Sequence, residues 1–211
     1  MISFMDFNLY NEIKTGRGNS GLLSIDFINH KFDKQGDVTS LFIKRDILTL
    51  HEAISFVWKL PYGRNSQRDQ YSLVLTENRG TCSTKHALLA ALCLEQKIPI
   101  TLMCGIYEMN EENTKGVGGV LDSHHLSYIP EAHCYLYYEG ERIDITTFND
   151  NPLNFPYIIK KEISLQPDEI GEKKLAFHQA YVKEWQSSMT SLFSFEQLWN
   201  IREQCIKALS Q

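Results

Sequence analysis

The sequence holds no Cys-x-x-Cys pair, no run of basic residues, no internal repeat and no apolar stretch near the ~18 residues that a membrane-spanning helix needs. Each absence removes a class of function. Without closely paired cysteines, the five thiols at 82, 93, 104, 134 and 205 give no zinc or dithiol redox signature. Their odd number in a chain of 211 residues fits the reduced thiols of a cytoplasmic protein better than a disulfide scaffold. Lys plus Arg is 21 and Asp plus Glu is 26, for a net charge of −5, so nothing concentrates positive charge for nucleic acid. Met1 to Tyr10 carries Asp6 and lacks a basic start ahead of an apolar run, so no signal peptide is expected there. Hydrophobic residues at 43% and charged residues at 22% exclude a disordered or collagen-like chain and allow a sizeable core. The length predicts one domain, with or without a helical extension.

Apolar residues at 23, 25 and 27 alternate with Ser24 and Asp26, which predicts a strand over 21–32, and Leu41 to Ile43 gives a second short candidate. Thr49 and Glu52 have capping-box spacing ahead of Leu50, Ile54, Val57 and Trp58, so a helix is expected over 49–60, stopped by Pro61. Residues 62–70 are polar and read as a surface loop. A second helix should start at Thr81 or Cys82 and run to Gln96 on the stripe Ala87, Leu88, Ala91, Leu92. Ile100 to Tyr107 reads as a buried strand, and 110–123, with three glycines, as a loop. His133 to Thr146 reads as a hairpin turning at Glu139-Gly140, and helices are expected at about 172–187 and 195–209, the last opened by a capping box at Ser194.

Cys82 is the cysteine with chemistry in its surroundings. It sits where a loop bearing Gly80 turns into a helix N-terminus, a position that lowers a thiol pKa and raises the thiolate fraction. Cys93, Cys104 and Cys205 lie within apolar patterns and read as small core residues. A thiolate nucleophile needs a base, and the base needs an orienting acceptor. His133 and Asp144 supply both if the hairpin has an even loop, in which paired residue numbers sum to 279. That register gathers the apolar residues on one face and leaves His133 and Asp144 as diagonal neighbours on the other. Alone, Asp144 would read as a turn carboxylate and His133 as a structural histidine; together behind Cys82 they read as a Cys-His-Asp set. Metal is not expected, because the close pairs His124-His125 and His133-Cys134 would point oppositely along an extended segment. For the oxyanion, the Cys82 N–H is one donor, and the polar loop offers the side-chain amides of Asn65 and Gln67 as candidates for a second. His124 and His125 are more ordinarily an exposed pair than a cleft wall.

Arg79-Gly-Thr-Cys-Ser-Thr-Lys-His-Ala-Leu-Leu-Ala-Ala-Leu92, Lys97-Ile-Pro99, Ala132-His133 and Gly140-Glu-Arg-Ile-Asp144 together resemble the transglutaminase-like superfamily of papain-like cysteine enzymes, in particular its small bacterial members. The resemblance covers about 61–147 and implies Cys82 as nucleophile, His133 as base then acid, and Asp144 as the residue orienting His133. It also implies an α+β fold in which the Cys-bearing helix packs on an antiparallel sheet carrying His and Asp. The sequence departs from the family where Tyr135 replaces a common Trp and Ile145-Thr146 replaces an Asp-Pro-Thr continuation. No dense acidic loop suggests calcium regulation.

The expected organisation is therefore a single transglutaminase-like domain over 1–211, with its motif-bearing core at 61–147 and a C-terminal helical extension at 168–211. The expected activity is cysteine-dependent amide hydrolysis or acyl transfer, of protease, deamidase or transglutaminase type, through a thioester on Cys82, with hydrolysis leading. The substrate would be a peptide or protein amide. No cofactor, metal, nucleic acid or membrane partner is implied. The alternative is a peptide-binding module that keeps the fold without using its chemistry, since fold alone does not establish activity. The two C-terminal helices carry too much apolar surface for solvated arms, so they should either close the core or form a homodimer surface or groove wall.

Overall fold

A computed structural model describes residues 30–148, 155–188 and 193–209. The chain is a mixed α+β structure in which helices pack against a four-stranded antiparallel sheet of order β3-β2-β1-β4, with β1 Thr101–Met109, β2 Ile129–Tyr138, β3 Glu141–Ile143 and β4 Lys161–Leu165. The helices are α1 Asp37–Ile43, α2 Leu50–Lys59, α3 Leu73–Glu77, α4 Cys82–Glu95, α5 Gly118–Ser123, α6 Glu172–Ser188 and α7 Phe195–Ala208. Among the described residues no helix is long and apolar enough to cross a membrane.

The helix starts follow their caps. Thr49, Thr81 and Ser194 each close a capping box, so α2, α4 and α7 begin where those side chains satisfy backbone N–H groups that lack intrahelical partners. The expected strand at Leu41 to Ile43 is instead the end of α1. Its short apolar run belongs to a helical face on which Val38 and Phe42 are buried, and the Glu95 carboxylate accepts the Val38 and Thr39 N–H groups at 2.9 and 2.7 Å. The expected loop at 110–123 contains α5, and residues 21–29 of the expected strand at 21–32 fall outside the described residues, while Lys31 forms an isolated antiparallel bridge with Thr49.

The hairpin register is as the sequence expects: Leu136 pairs with Ile143, Tyr137 with Arg142 and Tyr138 with Glu141. Glu139 and Gly140 both have positive φ, +47° and +93°, which is the backbone of a type I′ turn and matches the right-handed strand twist. Pairing ends at Ile143, so the edge of β2 around His133 carries no partner strand beyond that point. That uncovered edge is where the site is built.

The sheet is buried on both faces. Ala132, Cys134, Leu136, Cys104 and Ile106 pack with α4, α2 and α1, while Tyr107, Met109 and Ile129 pack with Val182 of α6 and Leu198, Ile201 and Cys205 of α7. The C-terminal helices thus cover one side of this chain's own sheet. Leu198 is fully buried in that second cluster, whereas Leu175 is 47% exposed. Leu198→Ala should lower unfolding stability by about 2–5 kcal/mol and Leu175→Ala by under about 0.5 kcal/mol, as read from urea unfolding midpoints. Equal, small effects would mean that the helices are loosely attached.

Candidate active site

Cys82 is the first residue of α4 and the one cysteine that is not fully buried; Cys93, Cys104, Cys134 and Cys205 have no exposed surface. The entry to α4 is tightly built. Thr84 Oγ1 accepts from Thr81 N at 3.0 Å and donates to Asn65 Oδ1 at 2.8 Å. Gly80 has no room for a side chain, since a Cβ there would meet Val74 and Lys85 at 2.9 Å. The segment before it is stitched to 61–63 by Gly80 N–H to Pro61 O at 3.2 Å and Gly63 N–H to Gly80 O at 3.1 Å. The helix N-terminus and its thiol therefore have a fixed address.

His133 projects from β2, and its Nε2 lies 2.6 Å from Asp144 Oδ2. Thr146 holds the other carboxylate oxygen, donating to Oδ1 from its N–H at 2.9 Å and from its hydroxyl at 2.5 Å. The chain leaving β3 is anchored by three side chains. His86 Nε2 accepts the Ile145 N–H at 2.9 Å, Lys85 Nζ donates to Thr146 O at 2.8 Å, and Trp58 Nε1 donates to Thr147 O at 2.6 Å. Since Nε2 of His86 is an acceptor, its proton sits on Nδ1, which donates to Cys82 O at 2.7 Å. One neutral imidazole thus links the helix that begins at Cys82 to the segment that follows β3 and carries Asp144. The sequence reading passed over His86, although its place one turn after Cys82 was the available signal.

The electrostatics are those of an ion pair. Burial opposes charge on the Cys82 thiol, but the charge of the His133 ring, then that of Lys174, more than offset it and hold the thiol pKa below its ordinary value. His133 is pushed well above the usual imidazole range despite burial, by the charges of Asp144 and Cys82. Asp144 is held well below the carboxylate range, again against burial, chiefly by His133. Thiolate and imidazolium are mutually favoured.

Asn65 does not supply an oxyanion donor. Both of its amide protons are engaged, by Glu77 Oε2 at 3.1 Å and Arg79 O at 3.0 Å, and the residue is buried as a brace of the turn. Gln67 is exposed and lines neither cavity beside Cys82. Tyr62, which lies in the polar loop expected at 62–70, borders Cys82 instead. It lines the cavities on both sides of Cys82, and burial together with the nearby Cys82 charge pushes its pKa up to about 12, so the phenol keeps its proton. His124 and His125 line neither cavity.

Cys82 lies at the junction of a cavity of about 450 Å³ walled by α6 and α7 and another of about 550 Å³ walled by His133, Tyr107, Tyr157 and residues 112–115. Glu131 is buried between them, paired with Arg202 of α7 through two contacts of 2.5 Å, and its pKa drops to about 2 because that pairing outweighs burial. Among the described residues no group of three or more His, Cys, Asp or Glu side chains is arranged to hold a metal ion. Comparison of the chain with family models, with curated proteins and with solved structures finds no match in any of the three.

Two buried histidines should govern acid stability. Burial lowers the pKa of His86 and of His178, whose Nε2–H donates to Pro130 O at 2.9 Å, to about 4 each. Between pH 6.5 and 4 the unfolded chain takes up these protons and the folded chain does not, so stability falls as pH drops through that window. The slope is at most about 1.4 kcal/mol per pH unit for each group. Urea unfolding at pH 6.5, 5.5 and 4.5 should show this loss, with His178→Gln removing about half of the slope. A flat profile would contradict the neutral, buried state of both rings.

Proposed function

We propose that the chain is a cysteine-dependent amide hydrolase or acyl transferase with a transglutaminase-like, papain-like core. The observation that carries this reading is the 2.6 Å contact between His133 and Asp144 beside Cys82, the half-buried thiol at a helix N-terminus within a cleft. The resemblance of 79–92, 97–99, 132–133 and 140–144 to that superfamily supports it independently.

In this mechanism the Cys82 thiolate adds to an amide carbonyl carbon, and the carbonyl π pair moves onto oxygen. The Cys82 N–H and the Tyr62 hydroxyl are the donors for that oxyanion. Collapse breaks the C–N bond, and the imidazolium of His133 gives its proton to the leaving amine, producing a thioester and a neutral imidazole. Asp144 keeps the ring oriented and stabilises its charged form. Water, or an amine, then attacks the thioester while His133 takes its proton. The second collapse returns the Cys82 thiolate and releases an acid or a new amide. Hydrolysis leads, because water is abundant and both cavities beside Cys82 open to it.

Native alkylation with iodoacetamide should fall first on Cys82 and persist well below pH 8.5, the ordinary thiol pKa. His133→Ala should lower its rate at pH 7 by about tenfold or more and move the inflection upward. Incubation with amide donors should then yield a mass increment on Cys82 that hydroxylamine removes, and added amines should partition the product. Preferential labelling of Cys93, Cys104 or Cys205, or a pH profile indifferent to His133, would favour a peptide-binding module in place of an enzyme.

A further inference from the structure

The cavity between Cys82 and the C-terminal helices contains a cation, Lys174, that favours the free Cys82 thiolate and loses that partner once a thioester forms. Most charges there are paired within the protein. Arg202 binds Glu131 and Glu203, and Arg64 binds Glu203 at 2.9 Å, with Arg68 at 3.9 Å from the same carboxylate. Lys174 of α6 is different. Its Nζ donates to Ser83 Oγ at 2.7 Å, and no carboxylate of the described residues lies within 4 Å of it. Asp69 and Glu172 also border the cavity, but both are exposed, at its solvent side.

We propose that the Lys174 ammonium is an anion subsite that selects acyl donors carrying a carboxylate a few bonds from the reacting carbonyl, an assignment that rests on the thioester reading of Cys82. Three observations lead to it. First, the site has a direction. His133 lines the cavity on the Tyr107 side and not the one on the α6 side. The departing amine must receive its proton from His133, so it lies with His133, and the acyl portion extends toward Lys174. Second, the distance is short. Cys82 Sγ is 3.8 Å from Ser83 Oγ, and Ser83 Oγ is 2.7 Å from Lys174 Nζ, so the ammonium is no farther from the sulfur than those two contacts in series. Third, an ammonium has three protons to donate, and Ser83 takes one without neutralising the charge.

Before acylation the Cys82 thiolate shares the field of Lys174. Once the thioester forms, the sulfur is uncharged and the half-buried ammonium faces the acyl chain. A carboxylate there restores the balance through a charge-assisted hydrogen bond, and a neutral acyl group leaves the cation unpaired. In the free protein burial opposes the charge on Lys174, but the fields of Cys134, Cys82, Cys104 and Glu131 outweigh it and hold its pKa above the ordinary ammonium value.

The first test uses the full chain carrying Cys82→Ala, with glutarate and its diamide glutaramide as probes followed by NMR shift titration. Glutarate should bind at least tenfold more tightly than glutaramide, Lys174→Met should erase the difference, and Lys174→Arg should restore most of it. Equal affinities, or a difference indifferent to Lys174→Met in protein with unchanged circular dichroism, overturns the anion subsite. The second test uses the chain with Cys82 intact and compares its alkylation by iodoacetate and by iodoacetamide. The anionic-to-neutral rate ratio should fall at least threefold in Lys174→Met. Equal slowing of both reagents would mean that Lys174 acts on the thiolate alone and would also overturn the subsite. A Cys82 inert to both reagents, beside glutarate binding that depends on Lys174, refutes the thioester chemistry and supports the anion site.

Discussion

The Asp144 carboxylate is the point on which the cleft depends. It is only 9% exposed, and an ionised carboxyl that far from water is tolerable only when its oxygens are satisfied. His133 takes one oxygen, and Thr146 takes the other with two donors. Those bonds are available because the chain departs from β3 at Asp144 instead of continuing the ladder, which turns the Thr146 N–H back toward the carboxylate. The departure in turn leaves the β2 edge open beside His133, and the N-terminus of α4 fills the neighbouring space. A longer β3 would have covered the edge and closed the cleft. The same short strand therefore creates the carboxylate's environment and the access to the thiol.

What the sequence reveals of this arrangement follows from how local each feature is. The capping boxes at Thr49 and Ser194, and the Glu139-Gly140 turn, are contained in four or so consecutive residues, and each appears where the pattern places it; the helix expected to start at Thr81 or Cys82 does so on a Thr81-Thr84 box that the pattern does not mark. The hairpin register is one step less local, yet legible, because only an even loop puts Leu136 and Ile143 on the same face. The contact between His133 and Asp144 inherits that legibility. Leu41 to Ile43 fails because three apolar residues carry no period, and the side chain that fixes α1, Glu95, is more than fifty residues away. Asn65 fails as an oxyanion donor for a related reason: Glu77 and Arg79 O use up its protons, and that commitment exists only once 65 and 77–84 have folded against each other. Tyr62 is the converse case, an aromatic residue in a polar loop that acquires its position from the bridge to Gly80.

Three residues of α4 show how one turn and a half of helix can serve both packing and chemistry. Cys82 is at the cap, where the helix field favours a thiolate. Lys85 is fully buried, donating to Leu60 O at 2.5 Å and Thr146 O at 2.8 Å, and burial lowers its pKa to about 8. His86 joins Cys82 O to Ile145 N–H. Lys85 and His86 both reach the 145–146 backbone, so the distance from the thiol's helix to the Asp144 segment is set by polar bonds rather than by apolar packing. Apolar packing tolerates small shifts in side-chain position; short bonds to backbone atoms do not. This explains why a helix buried over most of its length retains Lys85 and His86 within its first five residues.

The sequence allows the C-terminal helices either to close the core or to form a homodimer surface or groove wall; the structure packs them on the sheet, where they also border the cavity beside Cys82. Val182, Leu198, Ile201 and Cys205 bury against Tyr107, Met109 and Ile129, so α6 and α7 are held by the sheet. Held there, they turn Lys174 and Arg202 toward the space in front of Cys82 and Glu131. Arg202 pairs with Glu131, a residue two positions before His133 on β2, so the wall is bonded to the strand that carries the imidazole. A buried pair of this kind is weak evidence for net stability, since desolvation offsets much of the attraction. Its effect is on placement: moving α7 away would leave two opposite charges uncompensated inside the protein. The wall is thus fixed relative to His133 by electrostatics and relative to the sheet by apolar burial, and a cleft with both of its sides so constrained presents its charges to a ligand already in position.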